Sequence, residues 1–262
     1  NIALIGCGMI GREHIERIQN RIRGAQVVAV CDVFEEGAKK GAEIAGAGTK
    51  VYTDFNEAIN DPDVNAVVVT TPGQFHKGPV LAAIKAGKPV FSEKPLANTA
   101  ADGKEIVEAE MAGGKHLVQV GFMRRYDPSY ADAKAQIDAG HIGKPYLVKA
   151  TGLDPEALVE SCIKFSKTSG GIFIDAASHD IDLMRWFLGG EVTEVYAAGT
   201  TFKHPEFAEN GDTETGMAML KFDNGTVAFL HVGRTAPHGY HTETEIVGTE
   251  AHIRVAGVPW KD

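Results

Sequence analysis

The stretch IALIGCGMIGREHI, residues 2–15, decides the fold class of this 262-residue chain. Its first four residues form an apolar run typical of a buried strand, and the residues from Ile10 onward have helical spacing. Between them, Gly6, Gly8 and Gly11 form the pattern G-x-G-x-x-G. The pattern alone is weak because glycine is common, but its position between a strand and a helix is typical of dinucleotide-binding folds.

Each of the three glycines has its own role in such a turn. The first permits a tight turn, the second lets a pyrophosphate approach the backbone, and the third lets the helix and strand pack closely. The N-terminus of the following helix also favours a negatively charged ligand. We therefore predict a cofactor site that includes Gly6, Gly8, Met9, Ile10 and Gly11.

An acidic residue, Asp32, ends the next strand-like run about 20 residues after Gly11. Its carboxylate can accept hydrogen bonds from an adenosine ribose, and it would repel a 2′-phosphate. Val33 follows it, with no arginine beside it to offset that repulsion. The sequence therefore favours NAD over NADP, while an ordinary strand–turn–helix with a helix-capping aspartate stays open as the alternative.

The first 120 residues alternate strand-like and helix-like segments. The strand-like runs are 2–5, 27–31, 66–70, 89–91 and 117–120, and the helical segments include 10–22, 35–45, 76–86 and 100–111. Continuous apolar strands separated by helices indicate a parallel sheet that is buried on both faces. We predict an N-terminal α/β domain over residues 1–121, a doubly wound parallel sheet of the Rossmann type that binds NAD.

The pattern changes near Gly121, where FMRRYDPSY leads into a helix with Asp127 as N-cap and Pro128 as first residue. A second helix is predicted at 175–188. Strand-like runs follow at 145–151, 192–201, 214–222, 226–232 and 242–248. Asn224-Gly225 between two runs predicts a tight hairpin. Residues 122–262 are therefore expected to form a C-terminal α+β domain with a mostly antiparallel sheet, packed against the first domain.

Composition excludes several classes of partner. The chain has 44% hydrophobic and 23% charged residues, as soluble globular proteins do, and a formal net charge of −9. No Lys/Arg-rich run is present, which argues against nucleic acid. No apolar stretch reaches the roughly 20 residues that cross a bilayer. The cysteines, Cys7, Cys31 and Cys162, form neither a CxxC pair nor a disulfide framework, which is typical of the cytoplasm.

Two loops follow strands at the edge of the first domain where a dinucleotide would bind. In TTPGQFH, residues 70–76, the residues Thr70, Thr71 and Pro72 are candidates for contacts to the nicotinamide ribose. His76 is a weaker candidate for a cofactor contact because it can simply begin the next helix.

The second loop is VFSEKPL, residues 90–96, in which Pro95 fixes φ and keeps Lys94 out of a helix. There a lysine can hydrogen-bond a substrate hydroxyl and stabilise a developing alkoxide. Glu93 and Lys94 are also predicted to contact the cofactor. The alternative is a solvated surface lysine, and position alone does not decide between the two.

The predicted helix at 175–188 carries Asp175, His179 and Asp182 on one face, since offsets of four and seven residues coincide on a helix. If this helix lies between the domains, the three side chains line an interdomain cleft. Histidine is suited to accept the proton of an alcohol near neutral pH. Asp175 could orient the imidazole, and Asp182 could accept hydroxyl hydrogens from a polyol.

A structural interpretation of the same helix competes with this one. An apolar face of Ala177, Ile181, Met184 and Leu188 would bury the helix in a core. Asp175 would then be a helix N-cap, His179 a partly buried residue and Asp182 a surface charge. A dinucleotide site in the same chain favours the catalytic interpretation.

Motifs of other enzyme classes are missing from the sequence. There is no HExxH, no G-x-S-x-G and no Walker lysine–serine loop. His238 and His241 are too isolated in sequence to indicate a metal site, so no metal is predicted.

Five motifs occur together and in order: the G-x-G-x-x-G start, TTPGQFH, SEKPL, GFMRRYDPSY and the D-x-x-x-H of DAASHDID. In this combination the chain resembles, over essentially its whole length, the glucose–fructose oxidoreductase / inositol dehydrogenase / rhizopine-catabolism (Gfo/Idh/MocA) family. GFMRRYDPSY together with HGYHTETEIVGTEAHIRV looks most like the inositol 2-dehydrogenases of that family. The segment 151–171 lacks a His-Arg-Asn that some bacterial inositol dehydrogenases carry, and His238 stands where some members have tyrosine.

The resemblance implies specific roles. It implies that Lys94, Asp175 and His179 act together in catalysis. The substrate-binding residues that it implies are Met123, Arg124, Asp182, His238 and Tyr240. It also implies a homotetramer that assembles through the open face of the second domain's sheet.

The expected activity is NAD-dependent oxidation of a secondary hydroxyl of a cyclic polyol, most specifically myo-inositol to 2-keto-inositol (inosose). Another sugar oxidoreductase with the same three residues is the first alternative, and a non-catalytic NAD-binding redox sensor is the second. The family normally continues beyond Asp262, so the C-terminal end is expected to be truncated.

Overall fold

The computed structural model describes residues 1–256. The chain divides into two compact units, Asn1–Gly121 and Phe122–Asp262. The expectation of a truncated C-terminal end concerns residues that lie outside the described range.

The first unit contains a six-stranded sheet in which every pair of neighbouring strands is parallel. Its strands are β1 (Ile2–Ile5), β2 (Val27–Cys31), β3 (Lys50–Tyr52), β4 (Ala66–Val69), β5 (Val90–Ser92) and β6 (Val118–Val120). The spatial order is β3-β2-β1-β4-β5-β6, so the direction of winding reverses beside β1. This is the doubly wound order of a Rossmann fold, as predicted. The short strand β3 was not predicted.

Helices connect these strands: α1 (Met9–Arg21), α2 (Glu35–Ala45), α3 (Phe55–Asn60), α4 (Lys77–Lys85) and α5 (Ala100–Ala112). Four were predicted to within one residue at each end, and the short α3 was missed. Along β1, Ala3 and Ile5 pack into one apolar cluster while Leu4 packs into another. Burial on both faces is the physical reason why the strand is apolar at successive positions.

Asp61 is the C-cap residue of α3, and its side chain accepts hydrogen bonds from three groups. They are the Lys50 ammonium, at 2.7 Å, the Tyr52 hydroxyl and the Asp63 backbone N–H. The hydrogen bonds from Lys50 and then Tyr52 lower the pKa of Asp61 to about 2.

Replacing Asp61 with asparagine is expected to destabilise the protein at pH 7 by an amount that shrinks as the pH falls. The pKa of this carboxyl is lower in the folded protein than in the unfolded chain, where it is about 3.9. Its ionised form therefore stabilises the fold above a pH of about 3.9, and this stabilisation is lost as the pH falls toward 2. Urea unfolding of both proteins between pH 7 and pH 3 measures this difference. A gap that does not change with pH would show that the lost interactions do not depend on the charge of Asp61.

The second unit contains a six-stranded mixed sheet. Its strands are β7 (Pro145–Pro155), β8 (Val192–Thr200), β9 (Thr215–Phe222), β10 (Val227–Ala236), β11 (His241–Gly248) and β12 (His252–Ala256). They lie in the order β12-β11-β7-β10-β9-β8. Strands β7 and β10 are parallel, and the other neighbouring pairs are antiparallel. The predicted mostly antiparallel sheet is confirmed.

Two local predictions in this unit are also confirmed. The chain turns between β9 and β10 at Asn224-Gly225, where Gly225 has a φ of 82° and the Phe222 N–H donates to the Thr226 carbonyl at 2.9 Å. Asp127 accepts a hydrogen bond from the Ser129 N–H at 2.8 Å and caps the helix that begins at Pro128.

The helices of this unit are α6 (Pro128–Asp138), α7 (Val159–Ser166), α8 (Ile172–Asp175), α9 (Ser178–Leu188) and α10 (Glu206–Glu209). The apolar face predicted for the helix at 175–188 packs into the core. Ala177, Met184 and Leu188 are buried in a cluster that includes Val148 and Leu230 of the sheet, and the partly buried Ile181 packs against that cluster. On the other face of the sheet, apolar side chains are exposed: Tyr196, Met217, Met219 and Phe229. None of the helices in the described part of the chain is long and apolar enough to span a membrane.

The single helix predicted at 175–188 is wrong. It is interrupted at Ala176 and Ala177, where the Ala177 N–H donates to the Ile172 carbonyl five residues back instead of four. Asp175 is therefore the last residue of α8, and His179 lies in the first turn of α9. The straight-helix offset does not apply to Asp175, and Asp175 is not an N-cap.

Candidate active site

The glycine loop between β1 and α1 has the geometry that its three roles require. Gly6 has a φ of +100°, and a Cβ there would lie 2.6 Å from the Thr71 nitrogen. A Cβ at Gly11 would lie 2.0 Å from the Gly6 carbonyl oxygen. Gly8, at the N-terminus of α1, has no atom within 4 Å of such a Cβ. The outer glycines thus permit close backbone packing, while the middle one leaves open space at a helix N-terminus for a pyrophosphate.

Replacing Gly8 with alanine is expected to weaken NAD binding by about 10- to 100-fold without destabilising the protein. Its φ of −69° suits alanine, so the added methyl group obstructs only the approaching ligand. A clash of about 1–3 kcal/mol corresponds to this loss. Titration of NADH fluorescence and urea unfolding measure the two quantities.

The matched control is Gly103→Ala in α5, where a Cβ also meets no atom within 4 Å. This variant should bind NADH as the wild type does. Unchanged affinity in Gly8→Ala would show that the pyrophosphate binds elsewhere.

Asp32 is tied to the glycine loop. Its Oδ2 accepts a hydrogen bond from the Cys7 N–H at 2.8 Å, and its Oδ1 accepts one from the Phe34 N–H at 3.0 Å. Each carboxylate oxygen can accept further hydrogen bonds. The half-buried carboxylate therefore stands beside the loop with capacity for the two hydroxyls of a ribose, and the exposed neighbours are the apolar Val33 and Phe34. These residues fit a bound NAD.

The loop after β4 packs against the glycine loop and is hydrogen-bonded to it. The buried Thr70 hydroxyl donates to the Gly6 carbonyl at 2.6 Å. Thr71 and Pro72 lead into a short 3₁₀ turn at Gly73–Phe75. The structure thus brings Thr70 and Thr71 to the predicted cofactor loop.

His76 joins the loops after β4 and β5. Its Nδ1 lies 2.7 Å from the Pro95 carbonyl oxygen and its Nε2 lies 2.6 Å from that of Thr71. The side chain is 1% exposed, and burial lowers its pKa. Both ring nitrogens face backbone, so the ring connects the two loops from inside the unit.

Lys94 is half-buried in the loop after β5, unlike a freely solvated surface lysine. Its backbone N–H donates to Glu93 at 3.2 Å. The other oxygen of Glu93 lies 2.7 Å from Nε2 of His14, a residue of α1 that the sequence reasoning missed. Burial would raise the pKa of Glu93, but His14 and Lys94 together outweigh burial and lower that pKa. The loop that carries Lys94 is thus anchored to the helix that begins at the glycine loop.

In the second unit, Asp175 is buried at the end of α8 and paired with an arginine. Arg234 of β10 donates from Nη2 to the Asp175 Oδ2 at 3.2 Å. His179 is half-buried in the next helix. The sequence reasoning missed Arg234, because a charged residue in a strand is normally exposed. The one signal was its place two residues after Val232 and four after Leu230, on the face of β10 that is buried.

Arg124 is buried and forms an ion pair with Asp180, which is 0% exposed. Gly152 of β7 makes room for this pair, since a Cβ there would lie 2.8 Å from the Asp180 Oδ2. Burial would lower the pKa of Arg124, but Asp180, with Tyr130 and Tyr240, outweighs burial and raises that pKa. Asp180 was not predicted.

Asp182 accepts two hydrogen bonds from Arg125, at 2.8 and 2.7 Å. The Arg125 guanidinium also lies over the Trp186 ring, 5.2 Å from its centre. Asp182 is buried and already holds a cation, so it is not the exposed surface charge of the alternative interpretation.

Three further predicted substrate residues, Met123, His238 and Tyr240, are exposed. His238 Nε2 lies 3.2 Å from the Nδ1 of His241. Within residues 1–256, no group of three or more His, Cys, Asp or Glu side chains is placed to hold a metal ion.

Comparison with known families covers both units. Residues 1–122 match the oxidoreductase family with an NAD-binding Rossmann fold, and residues 130–254 match the GFO/IDH/MocA C-terminal domain. The chain belongs to the GFO/IDH/MocA family. It is an NAD-dependent dehydrogenase, in agreement with the cofactor and enzyme class predicted from the sequence.

Individual relatives within the family are inositol dehydrogenases. A scyllo-inositol 2-dehydrogenase (NAD⁺) of Bacillus subtilis is 37% identical over 96% of this chain and 72% of its own length. An inositol 2-dehydrogenase of Acidothermus cellulolyticus is 40% identical over 97% of this chain and 72% of its own. The crystal structure of Lactobacillus casei scyllo-inositol dehydrogenase with bound NAD(H) and scyllo-inositol is 36% identical, with a TM-score of 0.91, covering 100% of this chain and 77% of that one.

Proposed function

We propose that this GFO/IDH/MocA protein oxidises one secondary hydroxyl of an inositol to a ketone, with NAD as the acceptor. The similarity to inositol dehydrogenases over nearly the whole chain carries the proposal. Crystal structures of two Lactobacillus casei relatives support it. One is the scyllo-inositol dehydrogenase with bound scyllo-inositol, and the other is a myo-inositol dehydrogenase with bound myo-inositol, 32% identical with a TM-score of 0.86. Oxidation of myo-inositol to inosose is the specific reaction that we propose, and scyllo-inositol is the nearest competing substrate.

In this proposal three residues act in catalysis at the reacting hydroxyl: Lys94, Asp175 and His179. Bound NAD supplies the acceptor for the hydride that leaves the carbon. His179 accepts the hydroxyl proton, and the Lys94 ammonium donates a hydrogen bond to the same oxygen as negative charge develops there. Asp175 orients the imidazole. Lys94 belongs to the first unit and the other two residues to the second, and their joint action on one hydroxyl is part of the proposal.

The remaining site residues have binding roles in the proposal. Asp32 accepts hydrogen bonds from the adenosine ribose. The other proposed cofactor contacts are Gly6, Gly8, Met9, Ile10, Gly11, Thr70, Thr71, Pro72 and Glu93. The weaker candidate His76 has both ring nitrogens on backbone carbonyls, so it is proposed to hold the two cofactor loops together and not to contact the cofactor. The proposed substrate contacts are Met123, Arg124, Asp182, His238 and Tyr240. Arg124 and Asp182 are held by Asp180 and Arg125, so each would meet substrate in a preset orientation.

We also propose that residues 122–262 form the substrate domain and that the protein assembles as a homotetramer through the open face of its sheet. The exposed Tyr196, Met219 and Phe229 support this, because neighbouring apolar side chains on one face are typical of an interface. Light scattering on the purified protein measures the assembly. A monomer at micromolar concentration would contradict it.

The activity is tested by mixing the purified protein with NAD and myo-inositol, scyllo-inositol, D-chiro-inositol or glucose, and following the absorbance of reduced nicotinamide. We expect turnover with an inositol, and much less when NADP replaces NAD because of Asp32. Turnover with glucose alone would favour the alternative sugar oxidoreductase. NAD binding without turnover on any substrate would favour the redox sensor.

A further inference from the structure

Arg234 is a fully buried cation in the second unit. It lies on β10, is 1% exposed and follows the buried residues Leu230 and Val232. Its Nη2 lies 3.2 Å from the Asp175 Oδ2 and 3.6 Å from the Asp212 Oδ2. One guanidinium thus stands between two buried carboxylates from different segments of the chain.

Asp212 connects this cluster to the start of the same short helix. Its Oδ1 accepts a hydrogen bond from the backbone N–H of Ile172, the first residue of α8, at 2.8 Å. Asp175 is the last residue of α8. A helix of one turn does not hold its own shape in water, because the nucleation of a helix is unfavourable. The two ends of α8 are therefore fixed from outside, one by Asp212 and the other by Arg234.

A buried ion cluster contributes little net stability to a fold. Removing charges from water is expensive, and apolar side chains of similar volume often stabilise a core as well or better. The cluster does give a defined position to one carboxylate, since a guanidinium is a rigid donor with several N–H groups. A short hydrogen-bonded helix end and a rigid cation together leave the Asp175 side chain little freedom.

We propose that Arg234 is a positioning residue for the dehydrogenase reaction. It fixes the Asp175 carboxylate so that Asp175 can orient His179. This inference rests on the proposed function, because it takes Asp175 as the partner of the catalytic base. Arg234 itself acts only through Asp175.

The test compares Arg234→Met, which keeps the length of the side chain and removes its charge, with Arg234→Lys. We expect kcat with saturating NAD and inositol to fall about 100-fold in Arg234→Met and about 10-fold in Arg234→Lys, since a misplacement of about 1 Å costs on this order. The KM for NAD should stay at its wild-type value. Arg185→Met is the matched control, because Arg185 pairs with Glu191 at the surface, and its kcat should not change.

Crystal structures of the same variants give a second readout that needs no turnover. The Asp175 carboxylate should be displaced in Arg234→Met. Wild-type kcat in Arg234→Met, equal loss in both variants, or an unmoved Asp175 would overturn the inference. If Arg234→Met does not fold, Arg234→Lys decides alone: lowered kcat with a displaced Asp175 supports the inference, and wild-type kcat overturns it. If the wild type does not reduce NAD with any of the polyols tested, the proposed function fails. The position of the Asp175 carboxylate in the crystal structures then still tests the role of Arg234.

Discussion

Replacing His179 with alanine is expected to lower the kcat of inositol oxidation by about 10²–10⁴-fold, the typical contribution of a positioned general base. The hydroxyl proton must leave as the hydride leaves the carbon, and in the variant only water can accept it. The proposed cofactor contacts all belong to the first unit, so NAD affinity should be unchanged. Steady-state rates and a titration of NADH fluorescence measure the two quantities.

His116→Ala is the control for this experiment, because His116 is an exposed histidine outside the proposed site. It should retain the wild-type kcat. Lys94→Ala should also lose most turnover, since Lys94 is proposed to stabilise the charge on the same oxygen. Wild-type turnover in His179→Ala would remove His179 as the base, while the assignment of the fold and cofactor would stand.

The largest effect on stability is expected for Arg124→Met. Asp180 has no exposure to water, and this variant leaves its carboxylate buried without its cation. Breaking a buried pair by removing one partner costs about 3–5 kcal/mol. Urea unfolding at pH 7 should show a loss of this size in the free energy of unfolding.

The loss in Arg124→Met should also depend on pH. Burial already raises the pKa of Asp180, and Arg124 opposes that effect. Without Arg124 the folded pKa lies still further above the unfolded value. The buried Asp180 carboxyl then lowers the free energy of unfolding least at low pH, where it is protonated. The loss grows as the pH rises through the folded pKa. The gap to the wild type should therefore narrow from pH 7 to pH 5.

A double variant, Arg124→Met with Asp180→Asn, separates charge from packing. It removes both charges, so it should be more stable at pH 7 than Arg124→Met alone. Its difference from the wild type should vary little with pH. If the single variant were as stable as the wild type, the pair would contribute nothing to folding.

Local sequence patterns predicted most of the first unit. Apolar runs separated by helical segments identified five of its six strands, because a sheet buried on both faces needs apolar residues at consecutive positions. Strand β3 and helix α3 were missed because each is too short to show a period. The glycine pattern predicted the turn correctly, since the positive φ of Gly6 and the contact between Gly11 and Gly6 depend on the absence of side chains.

In the second unit, the same reasoning predicted the mostly antiparallel sheet, the Asn224-Gly225 turn and the Asp127 cap. The turn and the cap depend on residues close in sequence, whereas the parallel pairing of β7 with β10 joins segments far apart in sequence and was not predicted. The reasoning failed at 175–188, where helical spacing continues through a break. The short helix α8 that precedes the break is held at its N-terminus by Asp212 from a distant loop, which accepts a hydrogen bond from the Ile172 N–H. No pattern within the helix contains that information.

The sequence by itself determined the fold class, the cofactor class and the identity of the candidate residues, because those depend on spacing along the chain and on side-chain chemistry. Only the tertiary structure decided which ions are paired: Arg234 with Asp175, Arg124 with Asp180, and Arg125 with Asp182. The partners are 59, 56 and 57 residues apart in sequence. A charge buried with a distant partner looks, in sequence, the same as one exposed to water, so the pairing is set by how strands and helices pack.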